Sequence, residues 1–256
     1  MGTLKYTNTE LMIVAASREI QDGNRVFVGI GLPVLACLLA QRIRASSISM
    51  IFESGVIGAR PSRMVLTMGD PALASGAAMV VDFFDLFALM LQKGLIDVGF
   101  LGAAQIDKFG NLNTSVIGDY NKPKVRLPGS GGACEVASLS KRTVIIMQHE
   151  KKRFVERVDF VTSPGHVKGR YEIGIRGGGP SAVITTLGIF RFDDQGEMYL
   201  DSLHPGVSEA DVRLNTGWNI KVAGRVKRTE PPTPEEIRIL REDIDPKGIF
   251  LRNKLA

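Results

Sequence analysis

The feature that most constrains the fold is a short apolar run that ends in glycine and restarts at once as a helix. Arg25-Val26-Phe27-Val28 reads as a buried strand and Gly29-Ile30-Gly31-Leu32-Pro33 as a tight turn. Pro33 suits the first position of a helix over 34–43. The pattern recurs with a strand at 48–52, the turn Glu53-Ser54-Gly55, a helix over 83–92 and a strand at 98–101. Another apolar strand, 143–147, precedes the polar run 148–153. Strands joined through helices pair in parallel, because the crossover lays each helix on a face of the sheet. The expectation is an α/β fold, an open and mostly parallel sheet with helices on both faces. Ligands of such sheets sit at the carboxyl ends of the strands, where this pattern puts Glu53 and residues 29–31.

The remaining segments fit one domain. A first helix over 7–21 is capped by Thr7 or Asn8, with Glu10 completing a Thr-x-x-Glu box, and Asp22-Gly23-Asn24 stops it. Beyond Ser163 the chain is glycine-rich; a strand at 182–186 continues into 187–192, and Asp193-Asp194-Gln195-Gly196 turns it toward 198–200. Pro231-Pro232-Thr233-Pro234 precedes a last helix over 235–242. With no internal repeat, residues 1–256 are expected to form a single domain with a C-terminal extension from about residue 225.

A chain of 256 residues that is 44% hydrophobic can build a large core without disulfides or metals. Cys37 and Cys134 lie far apart and show no ligand spacing, as expected of reduced thiols packed as small hydrophobes. No signal-peptide pattern opens the chain, and no apolar run approaches the roughly 20 residues that span a bilayer, so a cytoplasmic protein without membrane contact is expected. The net charge of +5 suits an anionic small molecule. With 7% aromatics and no RNA-module signature, nucleic acid is not an expected partner.

Glu53 follows the buried strand Ile48-Ser49-Met50-Ile51-Phe52 directly. An unpaired carboxylate leaving water costs on the order of several kcal/mol, so a glutamate there needs a reason. It can be a base, a metal ligand or a nucleophile; a helix cap or salt-bridge partner is the structural alternative. Gly29-Ile30-Gly31 can turn backbone N–H groups toward an anion, but Val34 occupies the third glycine position of a dinucleotide fingerprint. Pro128-Gly129-Ser130-Gly131-Gly132-Ala133 is either a flexible turn or a loop whose N–H groups meet a developing oxyanion. There is no phosphate-binding P-loop, no G-x-S-x-G elbow and no metal site around His149, His166 or His204. Lys151, Lys152 and Arg153 form either a phosphate contact or a solvated charge cluster.

Together these segments resemble the family I coenzyme A transferases, nearest to the small (beta) subunit of the glutaconate branch. The resemblance rests on Val28 to Pro33, on Phe52-Glu53-Ser54-Gly55, on Gly102-Ala103-Ala104-Gln105-Ile106-Asp107 with Gly110-Asn111-Leu112-Asn113, and on Ile117-Gly118-Asp119-Tyr120. Gly129 to Ala133, Met147-Gln148-His149-Glu150-Lys151 and Val161-Thr162-Ser163-Pro164-Gly165 extend it. Phe52-Glu53-Ser54-Gly55 departs from the more usual Ser-Glu-Asn-Gly form, which points to the glutaconate rather than the 3-oxoacid branch.

The resemblance implies a transferase that moves coenzyme A between an acyl-CoA and a carboxylic acid, a glutaconate-like dicarboxylate and acetate being the expected pair. Glu53 would be the catalytic residue that passes through a glutamyl-CoA thioester. Backbone donors at Ile30, Gly31, Gly131 and Gly132 would hold the oxyanion, and Ser54, Arg60 and Arg63 are candidates for substrate binding. Coenzyme A enters as substrate, with no permanently bound cofactor and no metal. The glycine-phenylalanine motif of the family's other half is absent, which implies an alpha partner of similar fold, an active site near the subunit contact and a higher hetero-oligomer. A CoA-ester hydrolase or ring-opening enzyme on the same scaffold is the alternative.

Overall fold

The computed structural model describes residues 4–61 and 63–251. Among these residues, the centre of the fold is a ten-stranded sheet. In chain order the strands are β1 Arg25–Val28, β2 Ser49–Ile51, β3 Val56–Ile57, β4 Met79–Val80, β5 Val98–Leu101, β6 Arg142–Met147, β7 Pro180–Thr185, β8 Gly188–Phe192, β9 Met198–Leu203 and β10 Lys221–Arg228. They lie side by side as β10-β9-β8-β7-β6-β5-β1-β2-β3-β4. The middle of the sheet, from β7 to β2, is parallel throughout. Antiparallel pairs flank it on either side, and the edge strand β10 runs parallel to β9.

The sheet is mostly parallel, as expected, and turns antiparallel on the flanks where connections are too short for a crossover. The run 182–192, expected as one continuous strand, folds back on itself as β7 and β8. Thr185 makes the reversal, because its Oγ1 accepts from the N–H groups of Leu187 and Gly188, both at 3.1 Å. The turn 193–196 falls as expected, with Asp193 Oδ1 accepting from Gln195 and Glu197, both at 2.9 Å.

Side-chain alternation along the central strands feeds two separate cores. Val26, Val28, Met50, Val98, Phe100, Val144 and Ile146 point to one face. There they meet α1 (Asn8–Ser17), α2 (Leu32–Ile43) and the C-terminal segment carrying Ile239, Leu240 and Ile244. Phe27, Ile51, Leu101, Ile145 and Met147 point to the other, against α3 (Ala133–Leu139), a π-helical segment Asp85–Leu91, and Val212 in α4 (Glu209–Leu214).

Helix α1 starts as its sequence dictates: Thr7 Oγ1 accepts from Glu10 N at 3.1 Å while Thr7 N donates to Glu10 Oε2 at 2.7 Å. The last helix, α5 (Pro234–Arg238), carries the same box from Thr233 to Glu236. Glu236 is also paired with Arg18 and Arg44, which ties the C-terminal segment to the first two helices. Residue 225 lies inside β10, so the chain on both sides of it belongs to the sheet and its covering layer. Among the described residues, no helix is long and apolar enough to cross a membrane.

Asp97 stitches the amino ends of the three central strands. Its carboxylate accepts from Arg25 N at 2.9 Å, Arg25 Nε at 3.0 Å and Lys141 Nζ at 2.7 Å. Burial alone would raise this carboxyl, but the hydrogen bonds from Arg25 and Lys141 and the Arg25 charge hold it well below the usual carboxylate range. The folded chain therefore keeps the anion to lower pH than the unfolded chain, whose aspartates titrate near about 3.9. That stability is present above the unfolded value and is lost as pH falls through the lower, folded one. Asp97→Asn is expected to cost about 1–2 kcal/mol at neutral pH, the figure discounted for the solvent-screened Arg25 and Lys141. Denaturant titrations at several pH values should show the wild-type advantage shrinking below about pH 4.

Candidate active site

Glu53 occupies the turn that leaves β2 at its carboxyl end and returns as β3. The backbone shapes this turn without help from the glutamate side chain. Phe52 N donates to Val56 O and Gly55 N to Phe52 O, both at 2.9 Å, and Gly55 O accepts from Val81 N at 3.0 Å. Gly55 has φ +86°, a conformation that L side chains rarely adopt, and a Cβ there would stand 2.0 Å from the Val81 carbonyl oxygen. No residue other than glycine closes the turn this way. Gly55→Ala is therefore expected to lower stability by about 2 kcal/mol or more, read as a fall in the denaturant midpoint at constant slope.

The half-buried carboxylate of Glu53 faces a cleft of about 840 Å³ at the carboxyl ends of the central strands. Gly29 and Ile30, just past β1, and Gly102 to Ala104, just past β5, line it together with Phe100, Leu101 and Val136. The loop before α3 forms another wall. Gly132 N donates to Glu53 Oε1 at 3.0 Å. A Cβ on Gly132 would come within 2.6 Å of the Phe87 ring and 3.3 Å of Glu53 Oε1, so the main chain approaches the carboxylate because no side chain intervenes. At Gly131, with φ +48°, the corresponding distance to Glu53 Oε1 is 3.4 Å.

Thr114 holds this loop from both sides. Its Oγ1 donates to Gly129 O at 2.8 Å, and its own carbonyl accepts from Gly129 N at 2.8 Å. The Thr114 N–H donates in turn to Thr162 Oγ1 at 3.0 Å, and Thr162 Oγ1 is 2.7 Å from Ser115 Oγ. Asn113 Nδ2 donates to Gln105 Oε1 at 2.7 Å, and Gln105 Nε2 donates to Asp159 at 3.1 Å. The motif stretches 102–107, 110–113 and 161–165 thus form a buried polar frame behind the glycine loop. Thr114 does not stand out in the sequence; the signal for it is its place after Gly110-Asn111-Leu112-Asn113.

The structure brings Glu53, Ile30 and Gly132 to one cleft and sets Gly131 beside the carboxylate. Gly31 has φ +98° and starts α2, outside the lining of the cleft. Ser54 is exposed and also outside it. Arg60 and Arg63 are engaged elsewhere: Arg60 Nη2 donates to Ser46 O at 2.9 Å, and Arg63 grips both carboxylate oxygens of Asp70 at 2.8 Å. Neither arginine lines the cleft.

His149 is buried against Phe154, ring centroids 3.8 Å apart, with Nε2 3.0 Å from Thr216 Oγ1. Burial lowers it to about 3, and lowers His204 to about 4, so both are neutral structural groups. Among the described residues, no group of three or more His, Cys, Asp or Glu side chains could hold a metal ion. Cys37 is buried and Cys134 half-buried, both as free thiols.

Known proteins resemble this chain in sequence and in architecture. Residues 9–215 match the sequence profile described as Coenzyme A transferase. The chain is 48% identical over 240 residues to the beta subunit of the 3-oxoadipate CoA-transferase of Pseudomonas knackmussii, covering 92% of each. It is 38% identical over 257 residues to the beta subunit of the glutaconate CoA-transferase of Acidaminococcus fermentans, covering 96% of each. The crystal structure of glutaconate coenzyme A-transferase from the latter organism superposes with a TM-score of 0.91 at 36% identity, over 97% of this chain and 98% of that one.

Proposed function

This chain belongs to the coenzyme A transferase family as a beta-type subunit, and we propose that Glu53 is its nucleophile in moving coenzyme A between a short dicarboxylic acyl-CoA and a second carboxylic acid. The observation that carries the reading is a carboxylate facing a large cleft with one oxygen held by a backbone N–H at 3.0 Å. That bond fixes Oε1 and leaves Oε2 to attack the thioester carbonyl.

Attack forms an acyl-glutamyl anhydride and expels the CoA thiolate. The thiolate then adds to the glutamyl carbonyl and releases the first acid, leaving a glutamyl-CoA thioester. The incoming acid's carboxylate opens that thioester to a new mixed anhydride, and the thiolate takes the acyl group and frees Glu53. Each addition places negative charge on a carbonyl oxygen. Main-chain N–H groups in the loop 129–132 and at Ile30 are the donors at hand; loss of one such donor typically costs about 3–4 kcal/mol in the transition state. The thioester energy stays in covalent adducts, so no nucleoside triphosphate is required.

The proteins named for 3-oxoadipate and for glutaconate share a diacid substrate, which supports a dicarboxylic acyl group more firmly than glutaconate itself. Acetate is the acceptor we propose. Exchange of Glu53 to Gln should lower transfer by at least about 1000-fold. Incubating the wild-type complex with acyl-CoA should raise the mass of the Glu53 peptide by that of CoA less one water, and an unmodified peptide during turnover would sink the reading.

Both relatives are named as one subunit of their enzyme, which supports an alpha partner of similar fold. A covalent adduct that must be kept from water needs a closed site, and Gly131 and Gly132 of the glycine loop also border a groove lined by Phe83, Phe84 and Phe87. Phe84, 71% exposed, stands beside Phe83, Met79, Val80 and Leu89, all exposed. Phe83 stacks on Phe87 at 4.2 Å, and Phe87 touches the glycine loop. This face is continuous with the Glu53 turn through β3 and β4. Phe84→Asp is expected to weaken association by about 2 kcal/mol or more while the lone chain stays folded. Size-exclusion chromatography of the co-expressed pair, with circular dichroism of the free chain, reads both effects.

A further inference from the structure

Among the described side chains that line the Glu53 cleft, only Glu53 and Arg153 carry charge. The others are glycine, alanine, proline and apolar residues, with Thr114 and Ser130 the hydroxyls. Arg153 faces the same space as the Glu53 carboxylate from a wall that carries no other charge, and a cation so placed favours an anion brought into the cleft.

The local fold selects Arg153 from its charge run. After β6 the chain turns tightly, with Arg153 N and Phe154 N both donating to Glu150 O at 2.8 and 3.0 Å. Lys151 and Lys152 are left exposed, whereas the Arg153 side chain is 30% exposed. The backbone of Arg153 is clamped to Ile106, whose N–H donates to Arg153 O at 2.8 Å. Its Nη1 lies 3.4 Å from the carbonyl of Ala103, on the cleft wall just past β5. Nε pairs with Glu150 Oε2 at 3.3 Å, but Glu150 also holds Lys152 Nζ at 3.0 Å. One carboxylate thus serves two cations, and the trio keeps a net positive charge. A planar guanidinium in this position offers a fork suited to a carboxylate.

Glu53, at the carboxyl end of β2, and Arg153, whose Nη1 reaches the Ala103 carbonyl just past β5, line the same cleft, with the end of β1 between those strands. Phe100, Leu101, Ile30 and Val136 also line this cleft and suit methylenes.

We propose that Arg153 binds the far carboxylate of a dicarboxylic acyl group whose near carbonyl is presented to Glu53, and so sets the preference for diacids. This rests on the transferase reading of the site. It makes Arg153, across the cleft from Glu53, the specificity residue in place of Arg60 and Arg63 just after the nucleophile turn.

The test uses the complex with its partner chain and compares kcat/KM for adipyl-CoA and hexanoyl-CoA as donors to acetate, two acyl chains of equal length that differ in the terminal carboxylate. The wild-type complex should prefer adipyl-CoA. Arg153→Met should cut the adipyl-to-hexanoyl ratio roughly 10- to 100-fold, and Arg153→Lys should restore part of it. In the wild type, free adipate should compete with the donor better than hexanoate does, a comparison that requires no variant to fold. An equal fall for both donors would assign Arg153 to coenzyme A phosphates or to holding the Ala103 segment, and would overturn the proposal. So would an unchanged ratio, or a wild type indifferent to the terminal carboxylate. A wild-type complex that forms no CoA adduct on Glu53 fails earlier and takes the transferase reading with it, so the two failures are told apart.

Discussion

The bond from the Gly132 N–H to Glu53 joins two segments 79 residues apart, and the site exists because both are held to within a hydrogen bond of each other. Neither could be placed by local preference alone. The parallel strand β2 delivers the glutamate to the edge of the cleft, and α3 begins where the glycine loop ends. The loop is positioned from behind by Thr114, which is fixed in turn by Thr162 and by the polar frame around Asn113 and Gln105. A carboxylate that needs a defined orientation is thus held through main-chain atoms, which lose little conformational freedom when they are used.

This arrangement separates two demands that usually conflict. Packing is satisfied by two apolar cores on opposite faces of the sheet, one against α1 and α2 and the other against α3 and the π-helical segment. The polar requirements collect at the carboxyl ends of the central strands, where side chains need not interdigitate. There glycines and alanines make up much of the cleft wall, so the main chain itself borders the open space.

Much of the parallel centre was legible because its signals are local. Val26 and Val98 lie in buried strands of largely β-branched and aromatic residues followed by glycine, and Thr7 and Glu10 announce a helix start whatever lies around them. The reversal at Thr185 was not legible, since 182–192 is apolar without a glycine-asparagine pair and its turn depends on one hydroxyl accepting two N–H groups. The same limit applied to the cleft. Glu53 and the loop 129–132 stood out by composition. Arg60 and Arg63 drew attention by nearness in sequence, yet a carbonyl and an aspartate engage them. Arg153 was visible within a charge run, but which member of that run turns inward is decided by the tight turn at Glu150, a property of three-dimensional closure.

The turn around Glu53 carries a broader consequence. Its shape is set by Gly55, by main-chain bonds between Phe52 and Val56, and by the Val81 carbonyl, none of which involves the glutamate side chain. The turn therefore keeps its shape whatever side chain position 53 presents, although the bond to Gly132 depends on the glutamate. A lineage built on this turn can exchange the residue at 53 in a single step without rebuilding the strands on either side, so the side chain is free to diverge while the architecture stays put.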